Sequence, residues 1–293
     1  MVTVRIFGGL GNQMFQYAFG FAVAKKLKKK LQLDVKYAAT WSTKRDFELD
    51  SFKISHNNVL KYRYFLSYKY IRHIVNLLCR LIYKKTKIFQ NYEYMYDSFN
   101  TENLCKNCYL GGIWQSEKYF ADCKEEIRKE FQFKDGLNKE SMNILQRFDG
   151  QNTVSIHVRR GDYMIELFKD LGLVCTANYY QRAIAHILAN VANPVFIVFS
   201  EDIEWVKEYI KIPEPCIYVD SLDKPPSHDM QFMSLCKHNI IANSTYSWWA
   251  AWLNQNPDKI IIAPDKWWID GKETDIYTDN MVKISTMEGK YDV

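Results

Sequence analysis

The sequence predicts an α/β protein of two domains, each a β/α/β sandwich, and three observations carry that prediction. Length is the first: 293 residues suffice for two domains of about 150 residues each. Second, short unbroken apolar strands alternate with helix-periodic stretches, most regularly in the C-terminal half, which is the pattern of a parallel, doubly wound sheet. Third, polar clusters stand directly after three of those strands, at the edge where open α/β sheets bind ligands. The expected division is an N-terminal domain over 1–150 and a C-terminal domain over 151–293, the boundary falling in the turn-rich stretch 134–152.

Composition narrows the class. With 47% hydrophobic and 25% charged residues the chain is a folded globular protein rather than a disordered one. A net charge of +5 suits an anionic ligand or surface without requiring nucleic acid. No apolar run reaches the roughly 20 residues of a bilayer span, and the opening MVTVRIF reads as a strand rather than a secretory leader, so the expected location is cytoplasmic. Seven scattered cysteines fit reduced thiols, and Cys105-x-x-Cys108 lacks the second pair that a zinc site needs.

Val2 to Phe7 is the first strand, followed by Gly8-Gly9-Leu10-Gly11-Asn12-Gln13 and a helix through the lysines at 25–30. Strand, glycine turn and helix N-terminus form an anion-friendly corner, and Gly9 and Gly11 permit close approach of the backbone to a ligand beside Asn12 and Gln13. The spacing does not match a dinucleotide fingerprint. Leu31 to Val35 is the second strand. Residues 51–92 contain no Asp or Glu but nine Lys or Arg, and YIRHIVNLLCRLIYKK within them reads as a basic amphipathic helix. Such a helix packs one face in a core, or docks on an anionic membrane surface where a lipid-linked substrate is presented. Tyr109 to Phe120 couples a strand to a Gly-Gly turn and a helix capped by Ser116, leaving Trp114 and Gln115 at the strand end, open to a cleft or to the core.

The C-terminal half opens on Thr153 to Tyr163, an alternating strand that runs into Arg159-Arg160-Gly161-Asp162. Two adjacent guanidiniums match phosphate or carboxylate oxygens, while an Arg–Asp ion pair closing a surface turn is the plain alternative. A helix over 177–191 precedes the strand Pro194 to Phe199, which ends in Ser200-Glu201-Asp202 before a helix over 203–210. Ile217 to Val219, Asn239 to Ala242 and Lys259 to Ala263 complete five strands, and Asn243-Ser244-Thr245 leads into a helix from Trp248 whose positive end carries hydroxyls. Guanidiniums, helix-start hydroxyls and a carboxylate at one edge suit a nucleoside diphosphate, and the absence of an Asp-x-Asp pair speaks against a metal clamp.

These residues resemble a known family. GGLGNQMFQYAFG (8–20), HVRRGDY (157–163), FSED (199–202) and DMQFMSLCKHNIIANSTYSWWAAWL (229–253) are similar, in order, to bacterial members of glycosyltransferase family 11, the α-1,2-fucosyltransferases. WQSEKYF (114–120) and Trp267-Trp268 also fit. The resemblance implies a GT-B-like pair of domains, GDP-β-L-fucose as donor, no metal or other cofactor, and inversion to an α-1,2-linked fucose on a galactose-terminated oligosaccharide, lipid-linked in one version. It implies that Arg159 and Arg160 hold the β-phosphate, that His157 and Asp202 contact the guanosine, and that Ser244 and Thr245, beside Asn243, bind phosphate oxygens. Acceptor recognition falls to N-domain loops and to aromatics such as Trp114, Tyr119 and Trp248. The base for the acceptor hydroxyl stays open between Asp162, Asp46, Glu48 and no strong base at all, with an ion pair that holds the loop as the other role for Asp162.

Overall fold

The structure is a computed structural model that describes residues 1–35, 46–55, 59–60, 86–97, 107–164, 171, 174–221 and 224–286. Its chain forms two compact units, Met1–Lys134 and Asp135–Val293.

The first unit is a parallel five-stranded sheet in the order β3-β2-β1-β5-β4, made of β1 (Val2–Arg5), β2 (Leu31–Asp34), β3 (Val59–Leu60), β4 (Thr86–Asn91) and β5 (Asn107–Gly112). The central β1 is covered on both faces: Val2 and Val4 are fully buried and Thr3 nearly so. Helix α1 (Leu10–Lys26) lies on it, with Gly20 where an added Cβ would stand 2.9 Å from a Val4 methyl, so the glycine sets how close helix and sheet approach. Lys25 and Lys26 in the last turn oppose the helix dipole, and Lys25 is ion-paired with Glu126 of α2 (Lys124–Glu130). Strand β4 occupies the end of the stretch 51–92, beyond the amphipathic run; residues 61–85, which include the whole of that run and with it the membrane-docking expectation, lie outside the described residues. At Gly112, where β5 meets β4, φ is +150° and a Cβ would fall 2.0 Å from the Asn91 carbonyl oxygen, so only glycine fits.

The second unit begins with α3 (Lys139–Arg147), whose N-cap Asn138 accepts from Ser141 N and donates its own backbone N–H to His228 Nε2 at 3.4 Å. That bond ties the start of α3 to the rest of the second unit, and the units divide at 134/135, within the turn-rich stretch 134–152. Six parallel strands follow: β6 (Asn152–Val158), β7 (Pro194–Ser200), β8 (Cys216–Asp220), β9 (His238–Ile240), β10 (Ile261–Pro264) and β11 (Met281–Ile284), in the order β11-β10-β9-β6-β7-β8. They alternate with α4 (Ala177–Asn190), α5 (Ile203–Tyr209), α6 (Pro226–Leu235) and α7 (Thr245–Leu253). Five of the strands match the sequence reading. The sixth, β11, follows a long polar loop and pairs with β10 from Ile261↔Met281 to Pro264↔Ile284. The core sits between β6, β7 and β9 and the apolar face of α4, with Tyr179, Tyr180, Ala183 and Ile187 essentially inaccessible.

Chain direction across this sheet reverses between β6 and β9: β7 and β8 extend it one way, β9 to β11 the other. A crevice opens outside the carboxyl ends of two strands at such a switch point.

Candidate functional site

Parallel pairing of β6 with β7, ending at Val158↔Ser200, brings the residues after both strands out side by side. Arg159 Nη1 donates to Glu201 Oε1, and Arg160 Nε donates to Asp202 Oδ2 at 2.8 Å. Each arginine is thus ion-paired with an acid that follows β7, a pairing between strand ends rather than the Arg–Asp pair within one turn that the sequence offered, and the arginine side chains are only 19% and 20% exposed, so they sit in a half-buried edge rather than in open solvent. Arg160 also lies over the Trp205 ring at 4.1 Å and Arg159 over Tyr163 at 5.6 Å, which fixes each guanidinium by its face as well as its fork.

Asp202 is fully occupied. Its Oδ1 accepts from Trp205 N at 3.2 Å as the N-cap of α5, its Oδ2 takes Arg160, and the Arg160 hydrogen bond holds the carboxyl below its ordinary value against the effect of burial. The family resemblance gave it a contact with guanosine; in this structure it anchors Arg160 and caps α5, with 40% of its side chain exposed. Asp162 lies on the 3-10 turn Gly161–Met164, and its side chain is outside the described residues.

His157, the last inward residue of β6, is 4% exposed, and its Nδ1 is buried with no hydrogen-bond partner among the described residues. Burial first, and the neighbouring Arg159 charge second, push its pKa down to about 3, so the ring is neutral and aims an unsatisfied nitrogen into the edge. Its ring lies 5.4 Å from that of Tyr246. Two adjacent buried tyrosines of α4 hold this region: Tyr180 donates its hydroxyl to His157 O at 3.1 Å and Tyr179 donates to Ile241 O at 2.6 Å.

Across the switch point, α7 begins at the N-cap Ser244, whose Oγ accepts from Tyr246 N at 3.3 Å, and Thr245 is half-buried in the first turn. Asn243 faces inward instead. Its Nδ2 donates to Leu171 O and Trp267 O, both at 3.0 Å, and Cys175 Sγ donates to its Oδ1, so it brackets loops rather than offering a ligand. Trp248, expected at a sugar, is fully buried, with Nε1–H donating to Ile276 O at 2.7 Å and its ring edge-on to Trp249. It belongs to the core, because α7 is buried all round from Ser247 to Leu253.

Three residues absent from the sequence-derived site share this edge. Glu201 partners Arg159, and its position in FSED was a visible signal. Tyr246 joins α7 to α6 through a hydroxyl bond to Pro226 O and stands beside His157. Asp229, 3% exposed in the first turn of α6, is a buried carboxylate next to His228 Nδ1 at 3.1 Å, and nothing in its spacing announced it.

The glycine corner of the first unit is built differently. Gly8 has φ +77°, and a Cβ there would meet Asn12 Nδ2 at 3.0 Å; Gly9 caps α1 with backbone alone, and Gly11 is buried in the first turn. Asn12 Oδ1 accepts from Gln115 Nε2 at 2.8 Å. Gln13 is fully buried: its Nε2 donates to Gly8 O and Asp46 O, both at 2.8 Å, and its Oε1 accepts from Glu48 N at 3.0 Å. Its side chain therefore pins the segment Asp46–Glu48 and does not face a ligand. Trp114, at 3% exposure, stacks on Phe19 at 4.1 Å and meets Tyr119 edge-on, which puts it in the core.

The second unit's edge can neutralise a dianion with two forked cations and the positive end of α7, and can read a polar heterocycle with a neutral imidazole and a buried carboxylate. Among the described residues no set of three His, Cys, Asp or Glu is placed to hold a metal ion, and no helix is long and apolar enough to cross a membrane.

Comparison with known proteins gives one family and consistent relatives. A model of glycosyl transferase family 11 matches residues 1–285. An alpha-1,2-colitosyltransferase of Escherichia coli is 34% identical over 279 residues, 91% of this chain and 92% of that one. The galactoside alpha-(1,2)-fucosyltransferase 1 of Sus scrofa is 32% identical over 154 residues, 49% of this chain and 42% of that one. Among solved structures, the NodZ alpha-1,6-fucosyltransferase soaked with GDP-fucose superposes with a TM-score of 0.50 at 14% identity, covering 86% of this chain and 91% of that one. The GT-B-like class expected from the sequence is thus borne out by the two parallel sheets and by this shared fold.

Proposed function

The chain belongs to glycosyl transferase family 11, and from that premise we propose that it transfers L-fucose from GDP-β-L-fucose to the 2-hydroxyl of a terminal galactose, with inversion to an α-1,2 linkage and no metal ion. One observation supports this most: two half-buried guanidiniums and the start of α7 flank the switch point of the second sheet. Bond breaking leaves charge on the departing diphosphate, and cations already in place lower the barrier without reorganising. Arg159 and Arg160 take the place of a cation there, while Ser244, Thr245 and the positive end of α7 receive phosphate oxygens. His157 offers a neutral ring nitrogen to the guanosine. The guanine edge, which presents N–H donors, needs an acceptor, and with Asp202 holding Arg160 that role passes to the buried Asp229.

A second reading concerns the donor. The 34% identity to a colitosyltransferase over nearly the whole chain favours a nucleotide-linked colitose as the alternative sugar. Incubation with lactose and a panel of nucleotide sugars, read by mass spectrometry, separates the two: fucosylated lactose from GDP-fucose is the expected product. Nucleotide binding with no glycosylated product from any donor would overturn transfer itself.

A further inference from the structure

We propose that Glu201 is a built-in competitor of the diphosphate, a carboxylate that contends for the Arg159 guanidinium and so speeds departure of the nucleotide product. This rests on the reading above, in which Arg159 holds the diphosphate. Four observations lead to it. The Arg159–Glu201 and Arg160–Asp202 pairs come from consecutive residues on the same two strand ends, yet they are built differently. Asp202 has both oxygens engaged, one by Arg160 and one by the α5 backbone, and is fixed. Glu201 has one oxygen on Arg159, while its Oε2 is buried with no hydrogen-bond partner among the described residues. The room it occupies is kept open by Gly161, where an added Cβ would lie 3.1 Å from Glu201 Oε1.

A half-buried carboxylate with one oxygen buried and unsatisfied is costly to hold, and the guanidinium is what holds it. An arriving diphosphate places a second anion on the same fork, so the two repel and each weakens the other's grip. The repulsion is not equal for donor and product. Free GDP carries a terminal phosphate that can ionise once more than the sugar ester can, so the competitor penalises product more than donor. A carboxylate that merely positioned Arg159 would have the opposite sign, since removing its charge would loosen the guanidinium and weaken every anion.

The test is titration calorimetry of GDP and GDP-fucose on the full chain, with wild type, Glu201→Gln, Gly161→Ala and Arg159→Ala. Glutamine keeps the shape and the acceptor oxygen and removes the charge. Glu201→Gln is expected to bind GDP about tenfold more tightly and GDP-fucose by a smaller factor, and to show a burst in which the first turnover is retained and the steady-state rate falls. Gly161→Ala, which crowds the carboxylate without removing it, is expected to shift GDP affinity in the same direction by less. Unchanged or weaker GDP binding by Glu201→Gln, with wild type binding GDP and Arg159→Ala losing it, overturns this proposal alone. Wild-type protein with no GDP affinity, or Arg159→Ala with full affinity, overturns the donor reading and this proposal with it.

Discussion

The two units solve the same local problem with different materials. Each places a helix start just beyond a parallel strand in the middle of its sheet, α1 after β1 and α7 after β9. In the first unit the cap is a glycine with no side-chain bond, no acid stands in the first turn, and the amides of Gln13 and Gln16 turn inward to hold loop backbone. In the second unit the cap is a serine that bonds Tyr246 N, and the neighbouring strand end carries guanidiniums braced by carboxylates. What the first corner presents is backbone; what the second presents is charge. Substitutions in the first should therefore act on stability, and substitutions in the second on ligand binding.

The sharpest break of that contrast lies at Arg159. Arg159→Ala is expected to lower turnover about a hundredfold or more, with thermal unfolding little changed, and Arg159→Lys to lose nearly as much because the fork is gone. Near-normal kinetics in the lysine variant would remove the charge clamp from the second corner. Gln13→Ala should do the reverse, lowering stability by about 2–3 kcal/mol through three orphaned backbone groups while GDP affinity by calorimetry stays within twofold. An acid titration probes the second unit from within. A His157 ring whose pKa is pushed down to about 3 takes up a proton on unfolding, so its contribution is lost as pH falls below 6.5. Denaturant unfolding should show wild type losing about 2 kcal/mol more than His157→Asn between pH 7 and pH 5; parallel curves would mean the ring is hydrated. The mildest change is Gly9→Ala. No heavy atom lies within 4 Å of the added Cβ and φ is −73°, so stability should move by only a few tenths of a kcal/mol. A fall in activity at constant stability would then mark backbone that approaches a substrate.

What the sequence disclosed and what it hid follow from the same physics. Strands β6 and β7 were legible because they are buried on both faces and read as apolar runs that stop at a charge. Strands β3 and β4 lie on either side of a helix-like run in a stretch without acids, and β11 is only half-buried. Arg159, Arg160 and the start of α7 stood out because guanidiniums and hydroxyls just after a strand suit an anion, whereas His157 was singled out only through the family resemblance. The cap and ion-pair roles of Asp202 were not foreseen because an acid just after a strand looks the same whether it caps the next helix or meets a ligand. Trp248 could have been placed: the unbroken apolar run WWAAWL that it opens has no face to give to a sugar. Asp229 was hidden because a single acid in a helical pattern reads as surface, and burial is a tertiary property.

The neighbouring hydroxyls of Tyr179 and Tyr180 carry a consequence beyond packing. One is tied to the backbone of the β9 end and the other to that of the β6 end, so a single helix gauges the gap across which a diphosphate would be held. A gauge of this kind depends on neither the loops nor the sugar they admit. A change confined to the loops of this unit therefore leaves the interval between guanidinium and helix start unaltered, whereas a change at Tyr179 or Tyr180 does not.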